Sequence, residues 1–506
     1  MTAKKRYSAE EIGRMATELS SPLDRSAKCI TVILAGGFGK RIKSERPKVL
    51  HEVWGEPSVK RVSQAAKKGT GSPNQIVVVG IGAPELMEVI GSTPHTIFAY
   101  QEEQRGTGHA LQVAMASLGK KRVDGTVVVF PADMCLIDAK TVRRFMGAFQ
   151  RSGLDMMVLT GQYEGPVELN RYGRIVRVPE SDVDGSPSGA SKGHVIEIME
   201  HKDILRIDNG TPYETAYQGK RYAFTKKDLL ENREFNSGVY AFKARQLMRM
   251  LHRIRSDNAQ KEIYVTDLMS IFNNAKLRVG AHQLRDNLPI LAFNDKSALK
   301  HMQSLARQMV YDRLKDIITI EDEEQFFIAD EVVCSILRME KKGKPLDIVI
   351  GPGAHVGKGV KLSRGVEIGR NALLEGNLVL GEDVKIHEGA ILSTYPDQTL
   401  RIGDRSEILQ GDHVKGNTTI GKDVRIEGGV NITGSDEFPT CIGDKVLIKG
   451  TSYVFGCVIE SECWIEHSVI IKQHVDCVRR KDGTIQKVKY FLPLPEGLDS
   501  LRPIEG

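Results

Sequence analysis

Two rhythms of apolar residues divide the chain. From Cys29 to about residue 297, short apolar runs alternate with amphipathic stretches. Residues 29–34, 75–79, 125–130 and 154–159 read as buried strands. Residues 58–68, 108–118 and 140–150 carry apolar positions at helical spacing between them. Strand–helix alternation of this kind predicts an α/β fold, a Rossmann-like, doubly wound and mostly parallel sheet. Ligands of such sheets bind beyond the carboxyl ends of the strands. Segments 180–193 and 204–233 are polar and rich in turn residues, which predicts surface excursions on the substrate side.

After residue 345 an apolar residue recurs at every sixth position: Ile350, Val356, Leu362, Ile368, Leu374, Leu380, Ile386 and Leu392, then Ile402 to Ile432, then Ile442, Ile448 and Val454. A period of six fits neither an α-helix nor a coiled coil. It predicts a parallel β-helix whose inward aliphatics stack from coil to coil. Interruptions at 393–401 and 433–441 predict ejected loops, and the series then changes phase to Ile459, Ile465 and Ile471. Near the start, Ser8 and Glu11 have capping-box spacing ahead of Ile12, Met15 and Leu19, predicting a helix. The expected layout is a helical extension (1–27), a ligand-binding α/β domain (28–297), a helical arm (298–345), the β-helix (346–477) and a tail (478–506).

Composition narrows the class. Of 506 residues, 41% are hydrophobic and 27% charged, the balance of a globular protein of two or three domains. No apolar run reaches the length of a membrane span, and Met-Thr-Ala-Lys-Lys-Arg is not followed by the apolar core of a secretion signal. Seven cysteines without a C-x-x-C pair point to a reduced, cytoplasmic setting rather than a disulfide or zinc framework. The net charge of +6 suits an anionic substrate and argues little for nucleic acid.

Candidate chemistry concentrates in residues 34–50, Leu-Ala-Gly-Gly-Phe-Gly-Lys-Arg-Ile-Lys-Ser-Glu-Arg-Pro-Lys-Val-Leu. Gly36, Gly37 and Gly39 follow a buried strand and let the backbone approach a ligand. Arg41 and Lys48 bring positive charge to the same edge, so N–H groups and cations together could cradle phosphates. The glycines match neither the dinucleotide fingerprint nor the Walker spacing, and taken alone they serve equally well as a plain strand-to-helix turn.

The string as a whole resembles the L-x-G-G-x-G-x-R…P-K signature of sugar-1-phosphate nucleotidyltransferases. With the β-helix, the chain resembles the bacterial N-acetylglucosamine-1-phosphate uridylyltransferases over roughly residues 28–475, with the β-helix of the left-handed kind. Gln101-Glu-Glu-Gln-Arg-Gly-Thr-Gly-His-Ala resembles the uracil-reading segment, which implies nucleotide contacts from Leu34, Gly36, Gly37, Gly39, Gln101, Gly106 and Thr107. Phe130-Pro-Ala-Asp133 and Phe293-Asn-Asp resemble the metal motifs, implying Mg²⁺ on Asp133 and Asn294. Tyr172-Gly-Arg, Met199-Glu-His-Lys-Asp and Phe235-Asn-Ser-Gly resemble the sugar motifs, implying Gly173, Glu200 and Asn236 as sugar ligands, and Glu262-Ile-Tyr-Val-Thr-Asp resembles a further family segment. Lys40 and Ala132 depart from the pattern, and the insertion after Asp203 separates two sugar motifs.

The reaction so implied is attack by a sugar-1-phosphate oxygen on the α-phosphate of UTP, with Arg41 and Lys48 as the catalytic cations and no protein nucleophile. Asp133 could instead cap a turn, Asn294 a helix, and His109 reads as structural. The bifunctional relatives also acetylate glucosamine-1-phosphate, but their G-H-L-T-Y-L-G-D-like and N-Y-D-G segments are missing here. His387 and His413 read as solvated corner residues. The β-helix is therefore expected to be structural and, by resemblance, to form homotrimers. Two alternatives stand beside this expectation: the same chemistry on glucose-1-phosphate or another sugar-1-phosphate, and a non-catalytic assembly protein that binds sugar nucleotides.

Overall fold

The computed structural model describes residues 7–37, 39–119, 124–256, 258 and 260–491. Phe38 of the glycine string, the first six residues and the prolines near Leu494 lie outside the described residues. The chain forms two compact units, Met1–Met302 and Gln303–Gly506, and the helix Lys296–Leu314 runs from the first into the second.

The first unit is built on a nine-stranded sheet. Its main path runs Val279–Gln283, Met156–Gln162, Glu234–Lys243, Thr126–Pro131, Cys29–Leu34, Gln75–Val79, Thr96–Tyr100. All neighbours along it pair in parallel except Glu234–Lys243, which is antiparallel to both of its partners. Cys29–Leu34 lies between two parallel strands, and Val32 and Ile33 are fully buried. That burial on both faces is why the strand reads as a continuous apolar run. Helices Ser58–Thr70 and Ala139–Ser152 contribute to the core on one face, and Thr107–Ala116 to that on the other. The parallel strands deliver Gly36, Gly80, Gln101 and Asp133 to one carboxyl rim.

The helix Ala9–Leu19 carries the capping box, with Ser8 Oγ accepting from the Glu11 N–H and Glu11 accepting from the Ser8 N–H. Ile12, Met15 and Leu19 pack on the main core. Ser20 and Ser21 then run beside the edge strand, where Ser21 N–H donates to Thr96 O at 2.8 Å and Phe98 N–H to Ser20 Oγ at 2.9 Å.

The insertion is ordered rather than irregular. It forms the helix His201–Arg206, a hairpin of Tyr213–Tyr217 and Lys220–Phe224, and the helix Lys226–Glu231. Ile204, Tyr222 and Leu229 make a small separate core with Val176, Val178, Ile196 and Met199.

The second unit is a left-handed β-helix of three parallel sheets. Ile350, Ile368, Ile386, Ile408, Ile426, Ile448 and Ile465 stack in register along one of them. The solenoid begins before residue 346: Thr319–Ile320 pairs with Val349–Ile350, and Phe326–Ile328 with Ala354–Val356. Ile320 and Ile328, which pair with Ile350 and Val356, lie more than six residues apart, and a helix, Asp330–Glu340, separates both strands from the repeat. The tail also returns, with Lys487–Val488 pairing beside Trp464–Ile465. The ejected loops are shorter than expected, 394–399 and 435–439, since Ser393, Leu400, Gly434 and Thr440 still belong to strands. In the last coils Ile470, not Ile471, points inward, because the later turns are shortened and Val454 pairs with Ile470. His387 is half-buried rather than a solvated corner residue, and its Nε2 is buried without a hydrogen-bond partner among the described residues.

Ile426 is fully buried between Ile408 and Ile448. Ile426→Ala is expected to cost about 2–5 kcal/mol and Ile426→Val about 0.5–1.5 kcal/mol, read from denaturant titrations.

Candidate active site

The glycine loop leaves the sheet where Ala35 N–H donates to Val78 O at 3.0 Å and Ala132 N–H to Leu34 O at 3.1 Å. A Cβ on Gly36 would stand 2.7 Å from Gln101 Oε1, so a side chain there would enter the space facing that amide. Gly39 has φ +68°, and a Cβ on it would meet Lys48 Cβ at 2.6 Å. The loop therefore folds back on Lys48 only because Gly39 lacks a side chain, while the bare Gly36 leaves room for the Gln101 amide.

Lys48 is 8% exposed. Its ammonium donates to Asp133 Oδ2 and, at 2.8 Å, to Asn294 Oδ1, and Arg41 Nη2 donates to the same Asn294 oxygen at 3.3 Å. One carboxylate oxygen and one amide oxygen thus converge on a single positive charge. Two hard oxygens so placed fit Mg²⁺, which takes few protein ligands and keeps several waters.

Gln101 is buried, with its backbone N–H on Val79 O at 2.8 Å. Its amide nitrogen donates to Gly106 O at 3.3 Å and lies 3.1 Å from His109 Nδ1, which is 3.0 Å from Glu103 O. His109 thus buttresses the amide. Gly106, at φ +105°, lies against Ile263 O, where a Cβ would come within 2.6 Å, and Thr107 Oγ1 accepts from Val265 N–H at 3.2 Å. Segment 262–267 therefore clamps the start of the helix Thr107–Ala116.

Leu34, Gly36, Gly37, Gly39, Arg41, Lys48, Gln101, Gly106, Thr107, Asp133 and Asn294 all line one cavity of about 380 Å³. Val49, Gln104 and Glu262 join them. Gln104 and Glu262 lie within the motif segments, but nothing in the sequence sets them apart from their polar neighbours; Gln104 Nε2 donates to Gln101 O at 3.1 Å.

Gly173, Glu200 and Asn236 do not line this cavity but gather beside one another. Asn236 N–H donates to Gly173 O at 2.9 Å, and a Cβ on Gly173 would lie 3.1 Å from Glu200 Oε1. Asn236 sits where its strand bulges, and its Oδ1 accepts from Gly238 N–H and Tyr240 OH. Bulges re-aim side chains in this way. Tyr172, its ring tilted against Phe235 with centroids 4.5 Å apart, connects the two groups: burial and then the charge of Asp133 push its hydroxyl pKa up.

The Glu200 carboxylate accepts no hydrogen bond from the described residues. Burial, then the charges of Asp203 and Asp267, push it up to about 7, against the pull of Arg174. Burial, then Asp203 and Glu197, likewise push Asp267 up to about 7. Arg174, fully buried, donates to Asn170 O at 3.1 Å and to Tyr172 O. Neither Asp267 nor Arg174 was singled out from the sequence, although each closes or sits within a quoted motif.

A glycine loop, a buried amide and paired oxygens share one rim of a doubly wound sheet, the edge at which such sheets bind ligands. The family model of the MobA-like NTP transferase domain matches residues 31–262. The bifunctional protein GlmU of Geobacter metallireducens is 31% identical over 362 residues, 71% of this chain and 62% of that protein. That of Alkaliphilus oremlandii is 30% identical over 382 residues, 75% and 67% of the two. A solved UDP-glucose pyrophosphorylase complexed with UDP-glucose aligns with 56% of this chain and 100% of that one, at TM-score 0.38 and 14% identity. The chain belongs to the GlmU-like family of sugar-1-phosphate nucleotidyltransferases. It spans about three fifths of the length of the curated relatives it matches.

Because the folded pKa of Asp267 is raised from 3.8 to about 7, the native state holds its proton more tightly than the unfolded chain between those values. Stability present at low pH is lost as pH rises through that window. Asp267→Asn is expected to melt a few degrees above the parent at about pH 8 and level with it at about pH 4, by scanning calorimetry.

Proposed function

We propose that this protein transfers a uridylyl group from UTP to N-acetylglucosamine-1-phosphate and releases pyrophosphate. The observation that carries the reading is the meeting of Asp133, Asn294, Arg41 and Lys48 beside the glycine loop. A phosphate oxygen of the sugar ester forms a bond to the α-phosphorus, and the bond from that phosphorus to the β-bridging oxygen breaks. Both reactants are anions, so the barrier falls mainly through positioning and charge neutralisation.

Asp133 and Asn294 would hold Mg²⁺, which when bound supplies charge neutralisation for the phosphates. Arg41, with its planar fork, grips the outer phosphates of UTP. Lys48, released from part of its pairing with Asp133 and Asn294, acts as a point charge near the α-phosphate. Gln101 and the Gly106 backbone read the base, and Leu34, Gly36, Gly37, Gly39 and Thr107 complete the nucleotide pocket. Gly173, Glu200 and Asn236 take the sugar. Support for Glu200 in that role is its half-buried carboxylate, left without a donor among the described residues.

The hairpin Tyr213–Tyr217 and Lys220–Phe224 favours a second reading, the same chemistry on another sugar-1-phosphate, since it belongs to an insertion between two sugar motifs. We further propose that the protein works in the cytoplasm and that the β-helix serves assembly, as a homotrimer, without acetyltransferase activity. Among the described residues no helix is long and apolar enough to cross a membrane.

Nucleoside triphosphates assayed against sugar-1-phosphates by pyrophosphate release should give the fastest turnover with UTP and N-acetylglucosamine-1-phosphate. Asp133→Ala should lower that rate by about two to four decades. Sugar-nucleotide binding with no Mg²⁺-dependent turnover on any pair would favour a silent assembly protein instead. With acetyl-CoA and glucosamine-1-phosphate, CoA release should stay at background; robust release would reverse the assignment of the second unit.

A further inference from the structure

A second cavity, of about 950 Å³, opens in the first unit, and none of its lining residues lines the cavity described above. Its walls are the tip of the inserted hairpin and the turn from the helix Leu268–Asn274 to the strand Val279–Gln283. The tip is held open by a tight turn, with Gln218 and Gly219 both at positive φ. Tyr217 meets His194 edge-on at 6.0 Å, and its hydroxyl lies 3.1 Å from His194 Nδ1. Across from them stand Lys276 and Arg278.

The charges are one-sided. No carboxylate lines the cavity; Lys276 is exposed and has no hydrogen-bond or ion-pair partner among the described residues, while the exposed Arg278 shares its charge with Asp155 just outside the lining. The neighbouring acid, Asp155, is engaged by Lys243 at 2.8 Å and by the Arg278 main-chain N–H at 2.9 Å. An exposed lysine without a partner, an arginine only partly offset by Asp155 and a histidine–tyrosine pair, set on a partly apolar floor that includes Leu154, match a phosphate dianion carrying an organic body. The volume suits one small metabolite.

We infer that this cavity binds a phosphorylated small molecule, a sugar phosphate or a mononucleotide, at a site separate from the catalytic one. The test is calorimetric titration of the full chain with glucose 6-phosphate and, separately, with AMP, which distinguishes the two bodies. At least one should bind. Lys276→Ala/Arg278→Ala should weaken it about tenfold or more while leaving pyrophosphate release at saturating substrates unchanged. Arg41→Ala/Asn236→Ala, which cripples the catalytic pockets, should leave that affinity within about twofold. The inference is overturned if neither probe binds the parent, if the Lys276/Arg278 variant binds as the parent does, or if the Arg41/Asn236 variant loses the probe equally.

Discussion

A nearly buried ammonium cannot stand alone. Lys48 is removed from water by its own loop, and Asp133 and Asn294 supply the oxygens that its charge requires. Leaving such a charge uncompensated would cost several kcal/mol, so the pairing decides where three distant stretches of chain must meet. Gly39 lets the loop close over Lys48, the central strand sets Asp133 on the rim, and Phe293, 5.5 Å below the ammonium, seats Asn294. The arrangement that answers a folding demand is also the one to which we assign phosphate and cation binding.

What could be read from the chain follows from how local each determinant is. The β-helix declares itself because one inward aliphatic per six residues is imposed by its own coil. The capping box at Ser8 and Glu11 is equally local, and both of its hydrogen bonds form. The central strands were legible as apolar runs, but their limits slipped. Gly125 belongs to the turn before its strand, where a Cβ would strike Lys28 O, and Asp155 is held by Lys243. The strand Glu234–Lys243 was hidden, because Asn236-Ser-Gly238 looks like a turn and in fact bulges within it.

The site divides along the same line. Residues in contiguous strings around the first cavity could be picked from their resemblance to family motifs, and the fold gathers them into one hollow. Arg174 and Asp267 could not. Their burial, and the crowding of Asp203, Glu197 and Glu200 around Asp267, exist only once distant elements pack. The solenoid's first and last strands escaped for a related reason: they complete the neighbouring coil's sheet without carrying the repeat themselves.

The two serines after the first helix have a further effect. An outermost strand such as Thr96–Tyr100 displays a row of amide and carbonyl groups that another chain's extended segment can zip onto. By satisfying the Phe98 N–H and the Thr96 carbonyl, Ser20 and Ser21 occupy that template from within. The amino-terminal extension thereby guards the sheet against self-association, a protective office quite apart from catalysis.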